Sequence, residues 1–560
     1  MNKRNSKSPK LVADWKRLMS TFIRPENEES KETLIKYMEQ ILFGLHDFLS
    51  KHVGITEEIG LKELSDNFSD TQISEEPEKK LAEVIIDIIQ EIAPQAVNVA
   101  SPYFIGHMTS AIPFFMVHLK TIVTALNQNV VKLETSKVVS VLEKQIIAKI
   151  HRLIYNMDED FYNQHVQNVN TTLGSFTEGG TLANLTALWV ARNSLFPPKD
   201  NFKGIEEEGI YAAYRAYDID RVVILVSRLG HYSLRKSTGV LGIGNENVIP
   251  INIDNKKHID LSELIEAIKF FTKKGSRTKI AAIVGIGGAT ETGTVDPLYQ
   301  LGEICSEYNI YYHVDAAWGG PTLMSPKYRH ILKGIELADS VTIDGHKQFY
   351  MPMSSGMIYF KDPTKLDSIA YHSNYVNRLG SVDLGIKSLA GSREANSLIL
   401  DSAIKIMGSK GYALLIEHGI ETARCFANEI EKKDHFEVIT QPELNILTYR
   451  ICPLEYKELL ISSDPEQKKA INEKLNEINT IVQRLQRASG KSFVSRTKIK
   501  VKSISDDEIV VLRAVLMNPM TNKKILLEII DEQERIYNET FLKKRTSSNF
   551  PNQLITDQFF

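Results

Sequence analysis

Two apolar segments, each followed by a charged side chain, constrain the fold of this 560-residue chain more than any other feature. Residues 312–315 form an apolar run that ends in Asp315, and small residues and two glycines come next. Residues 340–343 form a β-like run rich in β-branched residues, and the glycine-marked turn after it carries His346 and Lys347. The pattern predicts two buried strands that bring one carboxylate and one amine to the same edge of a sheet.

A buried acid and a loop lysine on parallel strands are the two groups that pyridoxal 5'-phosphate (PLP) requires. A lysine amine forms a Schiff base with the aldehyde of the cofactor, and an acid keeps the pyridine nitrogen protonated. We therefore expect Lys347 to anchor PLP and Asp315 to face the ring nitrogen. A solvated surface lysine and a helix-capping aspartate are the structural alternatives. Ala316 and Ala317 argue against the second, because their small side chains leave room for a flat ring.

A glycine pair before a strong helix predicts a site for a phosphate group. Gly179 and Gly180 precede a helix predicted over residues 182–195, and Thr177 and Thr181 flank the pair. Glycines let the backbone approach a ligand closely, and the free N–H groups and dipole of a helix start attract anions. A capped helix after a simple turn is the alternative. The combination with the acid and the lysine favours the phosphate site.

The order of the predicted elements indicates a mostly parallel sheet covered by helices. Continuous apolar runs at residues 221–227 and 279–285 predict strands buried on both faces. Asp260, with Glu263 three residues on, heads the amphipathic helix between them. The expected domains are a helical, dimer-forming N-terminal arm (1–110), a PLP-binding large α/β domain (111–400) and a small α+β domain (401–560).

Composition and charge exclude several classes of function. The net charge of −3 gives no indication of a nucleic-acid or acidic-membrane partner, and 42% hydrophobic residues are ordinary for a globular protein. The basic start of the chain leads into no apolar segment, and no run of about 18 apolar residues occurs, so neither a signal peptide nor a membrane span is predicted. Three scattered cysteines fit neither disulfides nor a zinc site. We expect a cytoplasmic protein that binds no metal, nucleic acid or membrane.

Several motifs together indicate a known family. They are residues 177–184 (TEGGTLAN), 231–236 (HYSLRK), 313–320 (HVDAAWGG), 345–347 (GHK), 493–497 (FVSRT) and 512–521 (LRAVLMNPMT). In this order and approximate spacing, they make the chain resemble the group II PLP-dependent amino-acid decarboxylases. Within that family the chain is most similar to the bacterial pyridoxal-dependent aspartate 1-decarboxylase and glutamate decarboxylase branch. The resemblance extends from about Pro102 into the C-terminal domain.

The resemblance implies a fold, an activity and an assembly. The fold would be the aspartate aminotransferase-like arrangement, PLP fold type I. The activity would be α-decarboxylation of an acidic L-amino acid, aspartate to β-alanine or glutamate to γ-aminobutyrate, with release of CO2. The assembly would be a homodimer. The alternatives are a decarboxylase of an aromatic or related amino acid, another fold-type-I enzyme such as an aminotransferase, and a scaffold without catalytic activity.

The resemblance also implies roles for single residues. His231 would stack on the cofactor ring, and Tyr375 of a mobile loop would return a proton to the α-carbon. Arg393 would hold a substrate carboxylate. The sequence departs from the animal glutamate decarboxylases at His107, which stands where they have a glutamine near the substrate, and we expect it to serve an acidic side chain. The cofactor-binding residues expected are Thr177, Gly179, Gly180, Thr181, His231, Thr290, Asp315, Ala317, His346 and Lys347.

Overall fold

The two apolar segments that end in charged residues become neighbouring strands of a seven-stranded sheet. The computed structural model describes residues 14–20, 28–50, 61–372, 383–500 and 508–542. The strands of this sheet are β1 (Gly174–Thr177), β2 (Arg221–Ser227), β3 (Val248–Ile251), β4 (Thr278–Ile286), β5 (Tyr312–Asp315), β6 (Ser340–Asp344) and β7 (Gly356–Phe360). Their order is β1-β7-β6-β5-β4-β2-β3.

Five of these strands run parallel, which confirms the predicted α/β class with a mostly parallel sheet. Pairs β3/β2, β2/β4, β4/β5 and β5/β6 are parallel, whereas β7 is antiparallel to both β6 and β1. All four residues of β5 and all five of β6 are buried. Six of the seven residues of β2 are buried as well, and burial on both faces explains its unbroken apolar run at residues 222–226.

The helices are α1 (Trp15–Ser20), α2 (Glu28–Ser50), α3 (Leu61–Asp66), α4 (Leu81–Asp87), α5 (Phe114–Leu126), α6 (Leu133–Ser136), α7 (Val138–Tyr155), α8 (Glu159–His165), α9 (Gly180–Leu195), α10 (Ile205–Tyr217), α11 (Ser233–Val240), α12 (Leu261–Thr272), α13 (Leu298–Glu307), α14 (Asn396–Glu431), α15 (Leu454–Ser462), α16 (Pro465–Ser489) and α17 (Lys523–Tyr537). The predicted cap of α12 is present, because Asp260 accepts hydrogen bonds from the backbone N–H groups of Ser262 and Glu263 at 3.0 and 3.2 Å.

The chain divides into a larger unit, residues 105–480 and 495–524, and a smaller unit, residues 1–104, 481–494 and 525–560. The larger unit also contains a four-stranded antiparallel sheet of order β10-β11-β9-β8. Its strands are β8 (Phe436–Thr440), β9 (Ile446–Ile451), β10 (Ser495–Lys500) and β11 (Glu508–Val515). Alternating patterns at residues 494–501 and 509–515 predict the last two strands, whereas no pattern anticipated β8 and β9.

The smaller unit is helical in its described part. Asn98 connects the segment around it to the end of α2, because its side-chain amide donates to the carbonyl oxygens of Phe48 and Leu49 at 3.1 and 3.2 Å. Phe104 and Phe493 stack with ring centroids 5.1 Å apart.

The domain boundaries expected from the sequence stay a prediction. Within the described ranges no helix has the length and apolar character that crossing a bilayer requires, and no acid, histidine and cysteine cluster there could bind a metal.

Candidate active site

A cavity of about 470 Å³ lies in the larger unit where strands β4, β5 and β6 end. The carboxyl ends of parallel strands are where α/β proteins place their ligands. Most of the residues proposed from the sequence line this one cavity: His107, Gly179, Gly180, Thr181, His231, Thr290, Asp315, Ala317, His346 and Lys347. The fold therefore brings together the groups from segments far apart in the chain.

Asp315 ends strand β5 and is 6% exposed. Its Oδ2 accepts a hydrogen bond from the side-chain amide of Asn184 at 2.8 Å, and its Oδ1 accepts one from the backbone N–H of Ala317 at 3.2 Å. Both contacts are donated to the acid, so they complement a negative charge. A carboxylate that is buried yet aimed at a cavity is suited to hold a cationic ring nitrogen.

Lys347 follows β6 by three residues and faces a second buried acid. Its Nζ lies 3.0 Å from Oδ2 of Asp344, which is 2% exposed. The turn is held by backbone bonds, since the N–H of Gly345 donates to the carbonyl of Ser355 at 2.9 Å. Nδ1 of His346 lies 2.6 Å from the same carbonyl oxygen. The amine is thus placed in the cavity by a rigid turn.

The start of α9 forms the floor of the cavity next to this turn. Gly179 has a φ of 140°, a conformation that side chains rarely adopt. A Cβ atom at Gly180 would lie only 2.8 Å from Oδ2 of Asp344, so the close approach of α9 requires glycine there. Thr177 lies behind this turn, where its hydroxyl donates to the carbonyl of Gly179 at 3.0 Å; it is not among the lining residues of the cavity.

Two histidines of the cavity are electrostatically perturbed. Burial, with a smaller contribution from Lys347, lowers the pKa of His231 against the opposing effect of Asp315. Burial also lowers the pKa of His107, and the neighbouring charges of Arg513 and Lys347 lower it further. Both imidazoles are therefore favoured as neutral groups near pH 7.

Arg513 is a cavity residue that was not proposed from the sequence. It lies on β11 and lines the cavity beside His107. Within the described part of the chain, its Nε and Oε2 of Glu291 are buried and make no hydrogen bond. Burial lowers the pKa of Arg513, and Glu291 opposes that effect. An arginine in a strand usually indicates a surface position, so the pattern gave no reason to select it; only the fold turns it inward.

The structure places the remaining two candidates differently. Arg393 is 7% exposed and forms a bidentate pair with Glu143, with Nη1 2.9 Å from Oε2. It lines a separate cavity of about 280 Å³, which shares Glu178 and Ser354 with the larger one. Tyr375 lies outside the described residues.

Comparison with known proteins assigns the chain to a family. The sequence model described as "Pyridoxal-dependent decarboxylase conserved domain" matches residues 63–452. The chain belongs to this family. This pyridoxal-dependent decarboxylase is 43% identical over 524 residues to the Aspartate 1-decarboxylase of Aliivibrio fischeri, covering 94% of this chain and 95% of that protein. It is 26% identical over 507 residues to the Acidic amino acid decarboxylase GADL1 of Xenopus tropicalis, covering 89% and 90%.

Solved structures share the fold of the decarboxylase. The glutamate decarboxylase domain of diaminobutyrate-pyruvate transaminase and L-2,4-diaminobutyrate decarboxylase from Vibrio parahaemolyticus superposes with a TM-score of 0.77 at 20% identity, covering 94% of this chain and all of that one. Mouse CSAD gives a TM-score of 0.76 at 20% identity, covering 90% and 99%. The predicted PLP fold type I and the predicted carboxy-lyase class are both confirmed.

The residues of the cavity fit the PLP of this family. The buried acid Asp315, the amine of Lys347 and the helix start at Gly180 supply one group for each charged or reactive part of the cofactor. Bound PLP supplies an electron sink for the electron pair that remains on the α-carbon when CO2 departs. The protein contributes the orientation, the exclusion of water and the placement of protons.

Proposed function

We propose that this decarboxylase acts on L-aspartate and forms β-alanine and CO2, with L-glutamate as a second, poorer substrate. The observation that carries the proposal is Arg513, a cationic side chain in the cavity with a buried, unmet donor. A guanidinium suits a carboxylate because it offers a planar pair of donors. The name of the Aliivibrio fischeri relative, aspartate 1-decarboxylase, points in the same direction.

The chemistry indicates which substrate carboxylate Arg513 should bind. The α-carboxylate loses its negative charge as CO2 forms, so a cation bound to it would stabilise the reactant more than the transition state. A cation bound to the side-chain carboxylate stabilises both states and thereby selects the substrate. Arg513 is therefore assigned to the side chain of an acidic amino acid, with His107 beside it.

The other roles follow from the positions of the groups. Lys347 would hold the cofactor through its side-chain amine, and Asp344, whose Oδ2 lies 3.0 Å from Nζ, would accept a hydrogen bond from that nitrogen. Asp315 holds the proton at the ring nitrogen, and His231 covers the ring. The proposed phosphate contacts are Gly179, Gly180, Thr181 and His346. Thr290 and Ala317 line the ring pocket, and Thr177 supports the glycine turn.

A side-by-side substrate assay tests the proposal. Purified PLP-loaded enzyme receives L-aspartate, L-glutamate, L-2,4-diaminobutyrate or L-phenylalanine, and the amine product and CO2 are both quantified. We expect the highest kcat/KM for L-aspartate, with β-alanine and CO2 in equal amounts. A higher kcat/KM for either non-acidic substrate contradicts the proposal. Keto-acid formation would instead indicate an aminotransferase.

Two arginine variants distinguish the candidate carboxylate contacts. Arg513→Gln should lower kcat/KM for L-aspartate by roughly 30- to 100-fold through KM, because a charge-assisted bidentate contact is lost. Arg393→Gln is the matched comparison, since this arginine is the one proposed from the sequence. A large rise of KM in Arg393→Gln with no change in Arg513→Gln would assign the carboxylate to Arg393.

We further propose that the enzyme is a homodimer. The larger unit exposes a band of apolar side chains on α5, with Phe114 77%, Val117 42% and Ile122 48% exposed. Apolar patches of this kind mark protein interfaces. Sedimentation of the loaded enzyme should show twice the mass of one chain. Phe114→Glu combined with Val117→Glu should give monomers, whereas Phe270→Glu, at a 61% exposed phenylalanine of α12, should not. A monomeric unmodified enzyme contradicts the proposal.

A further inference from the structure

The side-chain amide of Asn184 joins the two groups proposed to face the cofactor ring. Asn184 is 1% exposed on α9, and its Nδ2 donates to Oδ2 of Asp315 at 2.8 Å and to Oγ of Ser233 at 3.0 Å. Oγ of Ser233 in turn lies 2.9 Å from Nδ1 of His231. On its other side, Oδ1 of Asn184 lies 3.1 Å from Nε2 of His313. One buried amide thus contacts three side chains in and behind the cavity, those of Asp315, Ser233 and His313.

The hydrogen bond to Asp315 determines the arrangement of protons on the His313 side. An ionised Asp315 can only accept, so the NH2 group of Asn184 must face it and the amide carbonyl must face His313. Nε2 of His313 therefore carries a proton. Burial lowers the pKa of His313 to about 4, so the ring holds a single proton at neutral pH. Its Nδ1 then accepts from the hydroxyl of Ser340 at 2.9 Å, and the carbonyl oxygen of Ser340, 3.2 Å from the same nitrogen, receives no hydrogen from it.

The same reasoning fixes the proton of His231. Both hydrogens of the Asn184 amide are used, one on Asp315 and one on Ser233. The hydroxyl of Ser233 accepts the amide hydrogen and donates its own hydrogen to Nδ1 of His231. The backbone N–H of Ser233 also donates to this Nδ1, at 3.3 Å. Nδ1 of His231 consequently carries no proton, and the neutral imidazole keeps its proton on Nε2. The charged groups that act on His231 are Asp315, Lys347 and Asp344.

We propose that Asn184 is a positioning residue that sets the proton arrangement at both Asp315 and His231. An amide is the side chain that offers one acceptor and two donors from a single planar group, and all three are used here. A carboxylate at this position would lack both donors, and alanine would lack all three groups. The inference rests on the proposed cofactor roles of Asp315 and His231, and it does not depend on which amino acid is decarboxylated.

Asn184→Asp gives the sharpest test, because a carboxylic acid keeps one donor and a carboxylate keeps none. PLP binding to the apoenzyme is titrated by quenching of tryptophan fluorescence across the pH range. We expect the dissociation constant of the variant, relative to the unmodified enzyme, to grow by about tenfold or more between about pH 5.5 and about pH 8.5, as the new acid ionises beside Asp315. Asn184→Ala should weaken binding by a factor that is independent of pH.

Asn193→Asp is the matched control on the same helix. Asn193 is 5% exposed, and its amide donates to Glu206 and to the carbonyl of Ser368 at 2.7 and 2.8 Å, away from the cavity. Its relative dissociation constant should stay flat with pH. If Asn184→Asp is equally flat, or if Asn193→Asp shows the same pH dependence, the positioning role of Asn184 is rejected.

A second pair of variants keeps the inference testable if Asn184→Asp fails to fold. His313→Gln retains one donor and one acceptor, so PLP affinity and turnover should remain within about threefold of the unmodified enzyme. His313→Leu retains neither and should lower turnover by about tenfold or more at saturating PLP. Equal turnover in the two variants counts against the inference.

Asp315→Asn, measured in parallel, separates two kinds of failure. Normal PLP binding and turnover in Asp315→Asn would remove the proposed cofactor role of Asp315 itself. Impaired turnover there, together with an Asn184→Asp variant that behaves like Asn193→Asp, would leave the role of Asp315 intact and reject only the role of Asn184.

Discussion

At the scale of single residues, two lysines are unusual amines. Lys347 faces the active-site cavity with its Nζ 3.0 Å from Asp344. Lys144 is the competing candidate, because burial lowers its pKa to about 8 and so increases its free-amine fraction at neutral pH. Only Lys347 shares a cavity with Asp315, so the geometry favours it.

Borohydride reduction of the loaded enzyme followed by peptide mapping should therefore label Lys347. Lys347→Ala should lose the label and the visible absorption of the bound cofactor, because no other lysine among the described residues lines the cavity. Lys144→Ala should keep both. A label on the peptide that contains Lys144 would reject the assignment.

The glycine at the start of α9 gives a second prediction at this scale. Gly180→Ala places a methyl group 2.8 Å from Oδ2 of Asp344. The buried carboxylate must then shift, together with the side chain of Lys347 that forms an ion pair with it. We expect PLP to bind roughly 10-fold more weakly, which corresponds to the usual cost of overpacking. Fluorescence titration measures the change.

Gly239→Ala is the control for that variant. An added Cβ at Gly239, in α11, meets no atom within 4 Å. PLP affinity there should be unchanged, and helix propensity should favour the alanine. A Gly180→Ala enzyme with the affinity of Gly239→Ala would show that α9 has room to move.

At the scale of elements, a buried ion pair joins α7 to the segment before α14. The side chains of Arg393 and Glu143 are each 3% exposed. Arg393→Met leaves a buried carboxylate without its partner, which should lower the free energy of unfolding by about 3–5 kcal/mol. Urea denaturation of the apoenzyme measures the loss. Adding Glu143→Gln to the variant should recover much of it, since the orphaned charge is then removed.

The exposed pair Arg152–Glu159 on and after the same helix provides the comparison. It is also bidentate, but the two side chains are 41% and 72% exposed. Arg152→Met should shift the urea midpoint much less than Arg393→Met, because water screens an exposed pair. Equal shifts of the urea midpoint would mean that leaving Glu143 buried without its partner costs no more than losing the exposed pair.

Which elements the sequence predicted depended on how continuous their apolar pattern is. The run at residues 221–227 became β2 (Arg221–Ser227), because burial on both faces leaves an unbroken apolar signal. Strand β1 was missed, since its four residues contain a glycine and no period. The pattern of residues 416–430 predicts a helix that is only the second part of α14, because Gly408, with a φ of 65°, interrupts the helix near its middle.

Site residues divide in the same way. Asp315 and Lys347 follow strand-like runs, so the local pattern was enough to propose them, and both line the cavity. The contacts of Asn184 with His313 and Ser233 join three separate segments of the chain, and no local pattern records such a meeting. Arg513 was recognised within a motif, but its inward direction depends on the antiparallel sheet.

At the scale of the whole molecule, two buried histidines predict loss of stability in acid. Burial lowers the pKa of His151 and of His313 to about 4 each. The unfolded chain binds these protons near pH 6.5, so stability falls as the pH drops from about 6.5 towards 4, by an order of 3 kcal/mol per histidine. Asp296 acts in the opposite sense, because burial raises its pKa to about 6 and the stability it adds is lost as the pH rises.

A histidine variant isolates this effect from other titrating groups. His151→Phe should be less stable at neutral pH, since it loses contacts with Tyr162 and the carbonyl of Phe360. Its urea midpoint should nevertheless fall less between about pH 7 and about pH 5 than that of the unmodified apoenzyme. Parallel falls in the two proteins would contradict the assignment to His151.

The cavity takes its groups from two separately hydrogen-bonded sheets. Asp315 and Asp344 end strands of the parallel sheet, whereas Arg513 lies on the antiparallel one. His107 goes with the second, because the N–H of Val515 donates to the carbonyl of Ile105 at 2.6 Å. If Arg513 and His107 have the roles proposed above, substitutions in the antiparallel sheet should change the preference for the substrate side chain without altering the residues proposed to hold the cofactor. A scaffold divided in this manner would allow a change of amino-acid substrate during evolution while the same reaction is retained.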